Sequence, residues 1–261
     1  MYIVSFRTIA LLTVLFTTFL TEPLLATDNT SHLVDISGRQ RMLSQRIAKA
    51  YLYHGLGVSK KNTRIQLQTS ITMFESGHAK LKKVADSEVQ DMLSFIEIIF
   101  AKYKGLVTKP YSKENAVLVL ELSERLLKNS HQVVLLLEEM SGQNIDKTIN
   151  VSGRQRMLSQ RVSKYYIAYQ AGFQDEETLR KLKTAVSEFE SALDQLQNEK
   201  RNTKKINMLL NKMKKRWEQI KPYFLQVQKG GLALMVLNNT DETTNLAHQV
   251  TGLYVEITDS K

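Results

Sequence analysis

Two copies of one ten-residue string carry the side chains of this sequence that are best suited to chemistry. The string SGRQRMLSQR occupies residues 37–46 and again residues 152–161, 115 residues later. Each copy holds three arginines, and a guanidinium is a rigid, planar fork of donors that binds oxyanions. Identity over ten residues of mixed type indicates an internal duplication. The sequence therefore offers two equivalent sets of anion-binding groups.

Each string is predicted to lie on a helix, because its surroundings contain no proline and are rich in helix formers. At about 100° per residue, one face of the first helix carries the apolar residues Ile36, Leu43, Ile47 and Ala50. Arg41 points nearly away from that face, and Gly38 lies on the same outer side. A glycine costs a helix roughly 1 kcal/mol relative to alanine. Its presence beside an arginine indicates close approach of another backbone or of a small ligand.

The string resembles the signature of the N-terminal sensor domain of type IV pili methyl-accepting chemotaxis transducers. The same family includes the periplasmic nitrate/nitrite-sensing part of bacterial nitrate sensor kinases. This resemblance implies antiparallel four-helix bundles whose first helix carries a Gly-x-x-Arg-Met box, with the arginine binding an anion across a dimer axis. Where nitrate sensors have small or apolar residues in the box, this chain has Arg39 and Gln40.

The residues that match the family's box, with the arginine that extends it, are the candidate ligand-binding residues. In the two copies they are Gly38, Arg41, Met42 and Arg46, and Gly153, Arg156, Met157 and Arg161. We expect a small anion as the ligand, nitrate or nitrite first, and no cofactor or metal. An anion between two facing guanidiniums would convert a repulsion of roughly 3 kcal/mol at 5 Å into attraction.

The duplication extends well beyond the string and sets the fold class. Phe74-Glu75 recurs as Phe189-Glu190, and His131-Gln132-Val133 recurs as His248-Gln249-Val250. We therefore predict an all-α protein of two tandem antiparallel four-helix (up-down-up-down) bundles, with repeats at residues 30–141 and 145–258. The predicted helices are 31–56, 60–84, 88–106 and 113–140, then 147–171, 176–200, 203–228 and 232–257. Asp175 is a candidate N-cap, and Pro222 either ends or only kinks the seventh helix, with Gly230-Gly231 as the other possible break.

Two arrangements of the bundles are open. In one, the bundles lie side by side with the first and fifth helices parallel, so that Arg41 and Arg156 face each other and the chain imitates the family's homodimer. In the other, the bundles stack end to end, with the fourth helix running into the fifth.

The N-terminal residues 1–26 predict a secretory signal peptide. Arg7 precedes a twelve-residue apolar stretch, too short for a comfortable membrane span, and the stretch ends before a possible cleavage site after Ala26. An uncleaved anchor is the alternative. No second long apolar run follows, so we expect a periplasmic or secreted protein without a transmembrane helix once the signal is removed.

Composition excludes several classes of function. The chain lacks cysteine, which rules out disulfides and thiolate chemistry. Its net charge of +10 is spread over helices without aromatic residues between the basic ones, so nucleic acid is not an expected partner. No phosphate loop, nucleophile elbow or zinc spacing is present, and we predict no enzyme. His131 and His248 are interpreted as core or surface imidazoles, because no second ligand is spaced for a metal.

These observations favour an exported sensor-type protein that binds a small anion and acts through an envelope or membrane-receptor partner. The alternative is a structural or protein-interaction module of the cell envelope with no small-molecule ligand. Titration with anions separates the two.

Overall fold

The structure is a computed structural model that describes residues 27–84, 87–141 and 144–259, so the predicted signal peptide lies outside the described residues. Eight α-helices and one short 3₁₀-helix account for most of this part of the chain, which contains no strand. The helices are α1 (Thr27–Gly55), α2 (Lys60–Val84), α3 (Ser87–Val107), α4 (Lys113–Ser141), α5 (Asn144–Gln170), α6 (Glu176–Gln197), α7 (Lys204–Leu225) and α8 (Ala233–Asp259), with the 3₁₀-helix at Val227–Lys229. None of these helices has the length and apolar character needed to cross a lipid bilayer.

The helix ends follow the local sequence. The Asp175 side chain accepts the Thr178 backbone N–H at 2.8 Å, which confirms it as the N-cap of α6. Pro222 lies inside α7 and does not end it. The chain turns instead at Gly230 and Gly231, both at positive φ, a region that favours glycine. The largest difference from the predicted bounds is at α1, which already includes Thr27, the first described residue, whereas residue 31 is predicted as its start.

The helices form two antiparallel four-helix bundles, α1–α4 and α5–α8, which confirms the predicted fold class. Equivalent aromatic pairs fill the two cores. Phe74 stacks on Phe100 at a centroid distance of 4.0 Å, and Phe189 stacks on Trp217 at 3.9 Å. Such pairs add to the stabilisation that burial of their apolar surface provides.

The bundles lie side by side, with α1 packed along α5. The Arg41 Nη2 donates to the Asn150 carbonyl at 3.4 Å, and the Arg156 Nη2 donates to the Asp35 carbonyl at 3.5 Å. Because Arg156 and Asn150 are the repeat equivalents of Arg41 and Asp35, these are the same contact seen from either side. The two helices are therefore parallel and related by a local pseudo-twofold axis, as the first of the two arrangements predicts.

Buried charges also connect the bundles away from the axis. The side chain of Lys49 on α1 is fully buried and ion-paired with Asp241 on α8. Its equivalent, Lys164 on α5, is paired at 2.7 Å with Glu124 on α4. Each lysine thus bonds to the last helix of the opposite bundle, so α1 and α5 are buried on nearly all sides. We call these two contacts the crossed lysine pairs.

Candidate functional site

Arg41 and Arg156 lie at the centre of the α1–α5 interface, and each side chain is only 1% exposed. Two glycines make room for them. A β-carbon on Gly38 would lie 3.3 Å from the Arg156 Nη2 and 3.4 Å from the Arg41 Nη2, and a β-carbon on Gly153 would lie 3.0 Å from the Arg156 Nη2. The two Nη2 atoms are therefore separated by no more than the sum of the first two distances. The structure brings these four predicted residues together.

The charge of Arg156 is compensated within the protein. Its Nη1 lies 2.7 Å from the carboxylate of Asp35, which is itself buried. Asp35 also accepts from Arg39, through Nε at 2.9 Å and Nη2 at 2.7 Å. Burial alone would raise the pKa of Asp35, but the guanidiniums of Arg156 and Arg39 outweigh it and hold that pKa below its usual value. On this side of the interface, the Asp35 carboxylate is therefore shared by the buried Arg156 and the partly exposed Arg39.

Arg41 has no such partner. Its Nη1 lies 3.1 Å from the Nδ1 of His131, and its Nη2 reaches only the Asn150 carbonyl. Among the residues that the structure describes, no carboxylate lies within ion-pair distance of Arg41. Glu138 acts on it from farther away while accepting a hydrogen bond from the Asn150 amide at 3.0 Å. Its Nε, like that of Arg156, is buried without a hydrogen-bond partner.

The pKa values of Arg41 and His131 reflect this environment. Burial first, and then the charge of Arg156, lower the pKa of Arg41 from 12.5 to about 9, so the group stays charged at neutral pH at an energetic cost. Burial and the charges of Arg41 and Arg154 lower the pKa of His131 to about 4. His131 is therefore neutral at pH 7. Because a guanidinium only donates, the Nδ1 of His131 must be the acceptor, and its proton lies on Nε2.

A cavity of about 250 Å³ lies beside Arg41, between α1, α4, α5 and α6. Its charged lining consists of Arg41, Lys128, Arg154 and Arg161 with Glu124 and Glu188. Arg161 is paired with Glu124 at 2.7 Å, and Arg154 is paired with Glu188 at 3.1 Å. The cations outnumber the acids by Arg41 and Lys128, so the cavity attracts negative charge.

Only some of the other predicted site residues line this cavity. Met157 and Arg161 line the cavity with Arg41. Met42 is a core residue, and Arg46 lies where its charge acts on Lys49 and Asp241. Two larger cavities of about 600 Å³, one between α2 and α3 and the other lined by Tyr51 and Tyr111, contain none of the predicted residues.

Two features of the site were not predicted from the sequence. His131 and His248 are expected as core or surface imidazoles, and in the structure each Nδ1 also lies against an arginine of its own bundle, at 3.1 Å from Arg41 and 3.4 Å from Arg156. Their recurrence in the repeat was the available signal. The second feature is the pair Asp35 and Asn150, which stand two residues before the repeated string.

Among the described residues, no group of three or more histidine and acidic side chains is arranged to hold a metal ion.

The family described as the type IV pili methyl-accepting chemotaxis transducer N-terminus, PilJ, matches residues 26–109 and 140–246 of the chain. The chain belongs to the PilJ family. The two matched regions are consistent with two tandem copies of the PilJ domain, one beginning in each half of the pseudo-symmetric structure. No curated protein and no solved structure matches the chain significantly. PilJ domains are sensor modules of chemotaxis transducers and are typically periplasmic, so the family places this chain among sensory modules.

Proposed function

We propose that the chain is an exported sensor module that binds a small anion, of the nitrate or nitrite class, at the α1–α5 interface beside Arg41. The two PilJ copies, residues 30–141 and 145–258, would act as the two halves of one binding unit. Signalling would require a partner protein in the envelope or a membrane receptor.

The observation that carries this proposal is the buried charge of Arg41 beside a cationic cavity. Removing a charge from water costs several kcal/mol unless a partner of opposite charge compensates it. The protein provides that partner for Arg156 and not for Arg41. A small anion in the cavity would provide it, through hydrogen bonds that are stronger for being charge-assisted.

Binding would favour the conformation in which α1 and α5 are tightly packed, because the anion interacts with that state and not with one in which the helices have separated. For a small monovalent anion we expect a Kd between micromolar and millimolar, about −8 to −4 kcal/mol. A sensor of an abundant nutrient or metabolite anion can operate in that range.

The test is anion-dependent stabilisation of the protein. We expect the Tm to rise with added nitrate or nitrite at constant ionic strength, and more than with chloride. The variant Arg41→Ala should lose this dependence, whereas Arg180→Ala, which removes an exposed arginine on α6, should keep it. The readout is the anion-dependent change in Tm and not its absolute value, because removing a buried charge also changes stability.

A Tm that none of these anions raises in the wild-type protein would exclude the proposed function. Salt-sensitive binding of an envelope protein, together with indifference to anions, would instead support the protein-interaction module.

A further inference from the structure

The two halves of the interface are nearly identical around the arginines but differ at the position that supplies negative charge. Arg39 and Arg41 are matched by Arg154 and Arg156, and His131 is matched by His248. Asp35, however, is matched by Asn150. The duplicated helix therefore carries a carboxylate in one copy and a neutral amide in the other.

Asp35 shows which kind of chemical group fits between two arginines of this interface. Its carboxylate lies between two guanidiniums, 2.7 Å from the Arg156 Nη1 and 2.7 Å from the Arg39 Nη2. Arg156 contacts Oδ1 of the carboxylate, and Arg39 contacts Oδ2 through both Nε and Nη2, so each oxygen has its own guanidinium. Such charge-assisted contacts are stronger than neutral hydrogen bonds. The protein thus contains one complete example of an oxyanion held by this pair of arginines.

The equivalent pair on the other side is Arg41 and Arg154, and both line the 250 Å³ cavity. Arg154 turns to Glu188 on α6, with 44% and 31% of their side chains exposed. Arg41 is buried and meets only neutral groups at hydrogen-bond distance. The cavity is large enough for a ligand of three or four heavy atoms and some water, since a water molecule takes about 30 Å³ in the liquid.

We propose that the chain binds a single planar, monovalent oxyanion, at the Arg41 half only, where the ligand plays the part that the Asp35 carboxylate plays for Arg156. This inference rests on the proposed function and adds its stoichiometry and the shape and charge of the ligand. A small carboxylate such as formate shares this chemistry with nitrate. A divalent, tetrahedral anion does not, and the nearby carboxylates of Glu138 and Glu188 disfavour a second negative charge.

The stoichiometry follows from the dependence of unfolding on ligand concentration. Above the Kd, the logarithm of the unfolding constant falls with the logarithm of free anion concentration, with a slope equal to the number of anions bound. With formate at constant ionic strength, we expect a slope of one for the wild-type chain. The variant Asp35→Asn makes the two halves alike and should raise the slope to two.

A second pair of variants supplies the missing carboxylate from the protein. Asn150→Asp alone would place two acids together, because the Asn150 amide lies 3.0 Å from a Glu138 oxygen. The informative comparison is therefore Glu138→Gln/Asn150→Asp against Glu138→Gln. We expect the single variant to bind formate at least as tightly as wild type and the double variant to bind at least tenfold more weakly, because an internal carboxylate then occupies Arg41.

The outcomes separate this inference from the proposed function. A wild-type slope of two, equal binding by the double and single variants, or tighter binding of sulfate than of formate and nitrate would overturn the inference and leave anion sensing intact. No anion dependence in any variant would exclude both. If Asp35→Asn fails to fold, the Glu138→Gln pair alone decides the case.

Discussion

Gly38 and Gly153 leave room for the two guanidiniums, Gly38 mainly for Arg156 of the opposite helix and Gly153 for Arg156 of its own helix. The Arg156 Nη2 would lie 3.0 Å from a β-carbon on Gly153, closer than side-chain atoms normally pack, and Arg156 has little room to move because it is buried and ion-paired. The glycines thus permit the burial of two like charges on a shared axis. Their role is steric and does not depend on backbone flexibility.

We predict that Gly153→Ala lowers the free energy of unfolding by about 1–2 kcal/mol, the usual result of forcing extra volume into a packed site. The matched control is Gly252→Ala in α8, where a β-carbon would meet nothing within 4 Å. The control should raise the free energy by about 0.5–1 kcal/mol through helix propensity. Urea unfolding of both variants measures the difference, and equal stabilisation of the two would contradict the steric role.

The sequence predicted part of this chemistry. The repeated string identified the arginines, and Gly38 indicated a close approach, which the structure attributes to guanidiniums. The asymmetry of Asp35 and Asn150 is visible in the sequence, but its meaning depends on Arg156 reaching across to the other helix. Helical periodicity defines the face of a residue and not its partner on another helix.

At the level of helices, the crossed lysine pairs explain why α1 and α5 can bury charged side chains that helical periodicity would assign to the solvent-exposed face. Lys49 and Lys164 are fully buried, and burial lowers the pKa of each to about 8. Asp241 also accepts from Gln66 at 2.8 Å and from Gln160 at 3.1 Å. One carboxylate thus connects α8 to α1, α2 and α5.

We predict that Asp241→Asn lowers the free energy of unfolding by about 3–5 kcal/mol, because it leaves the charge of Lys49 buried without a counter-ion. The double variant Lys49→Met/Asp241→Asn should recover much of this loss. Glu97→Gln, which breaks an exposed pair with Lys82, should cost less than about 1 kcal/mol. A double-mutant cycle in urea measures the coupling, and additive effects of the two substitutions would contradict the buried pair.

The duplication in the sequence was enough to predict two bundles, but it did not predict that each lysine pairs with a helix of the opposite bundle. Lysine in the middle of a helix is normally assigned to solvent. The sequence did not decide between side-by-side packing and end-to-end stacking of the bundles. Only side-by-side packing brings α8 next to α1 and α4 next to α5.

At the scale of the whole molecule, the site makes stability sensitive to mild acid. His131 and His248 both have pKa values lowered from 6.5, first by burial and then by the adjacent arginine, and His131 falls to about 4. Between pH 6.5 and 4, the unfolded chain binds protons that the folded chain does not. The histidine contribution to stability is therefore fully present above pH 6.5 and is lost as the pH falls towards 4.

We predict that His131→Asn/His248→Asn flattens the pH dependence of the unfolding free energy between pH 6.5 and 4. Each histidine contributes at most about 1.4 kcal/mol per pH unit, less where solvent reaches the ring. His78, whose pKa is also lowered by burial, leaves some dependence in the double variant. Below pH 4.5 the slope should persist. Burial alone would raise the pKa of Glu124, but Lys164 and Arg161 together outweigh it and lower that pKa to about 2. Urea titrations from pH 7 to 3 measure both ranges, and an unchanged slope in the upper range would count against neutral histidines.

The covalent joining of the two bundles has an evolutionary consequence. In a dimer of identical chains, every residue near the twofold axis appears twice, so no substitution can alter one side alone. Fusion of the copies removes that constraint and lets Asp35 and Asn150 diverge. It also fixes the local concentration of one half around the other, so that the response of this protein would not depend on how much of it the cell produces.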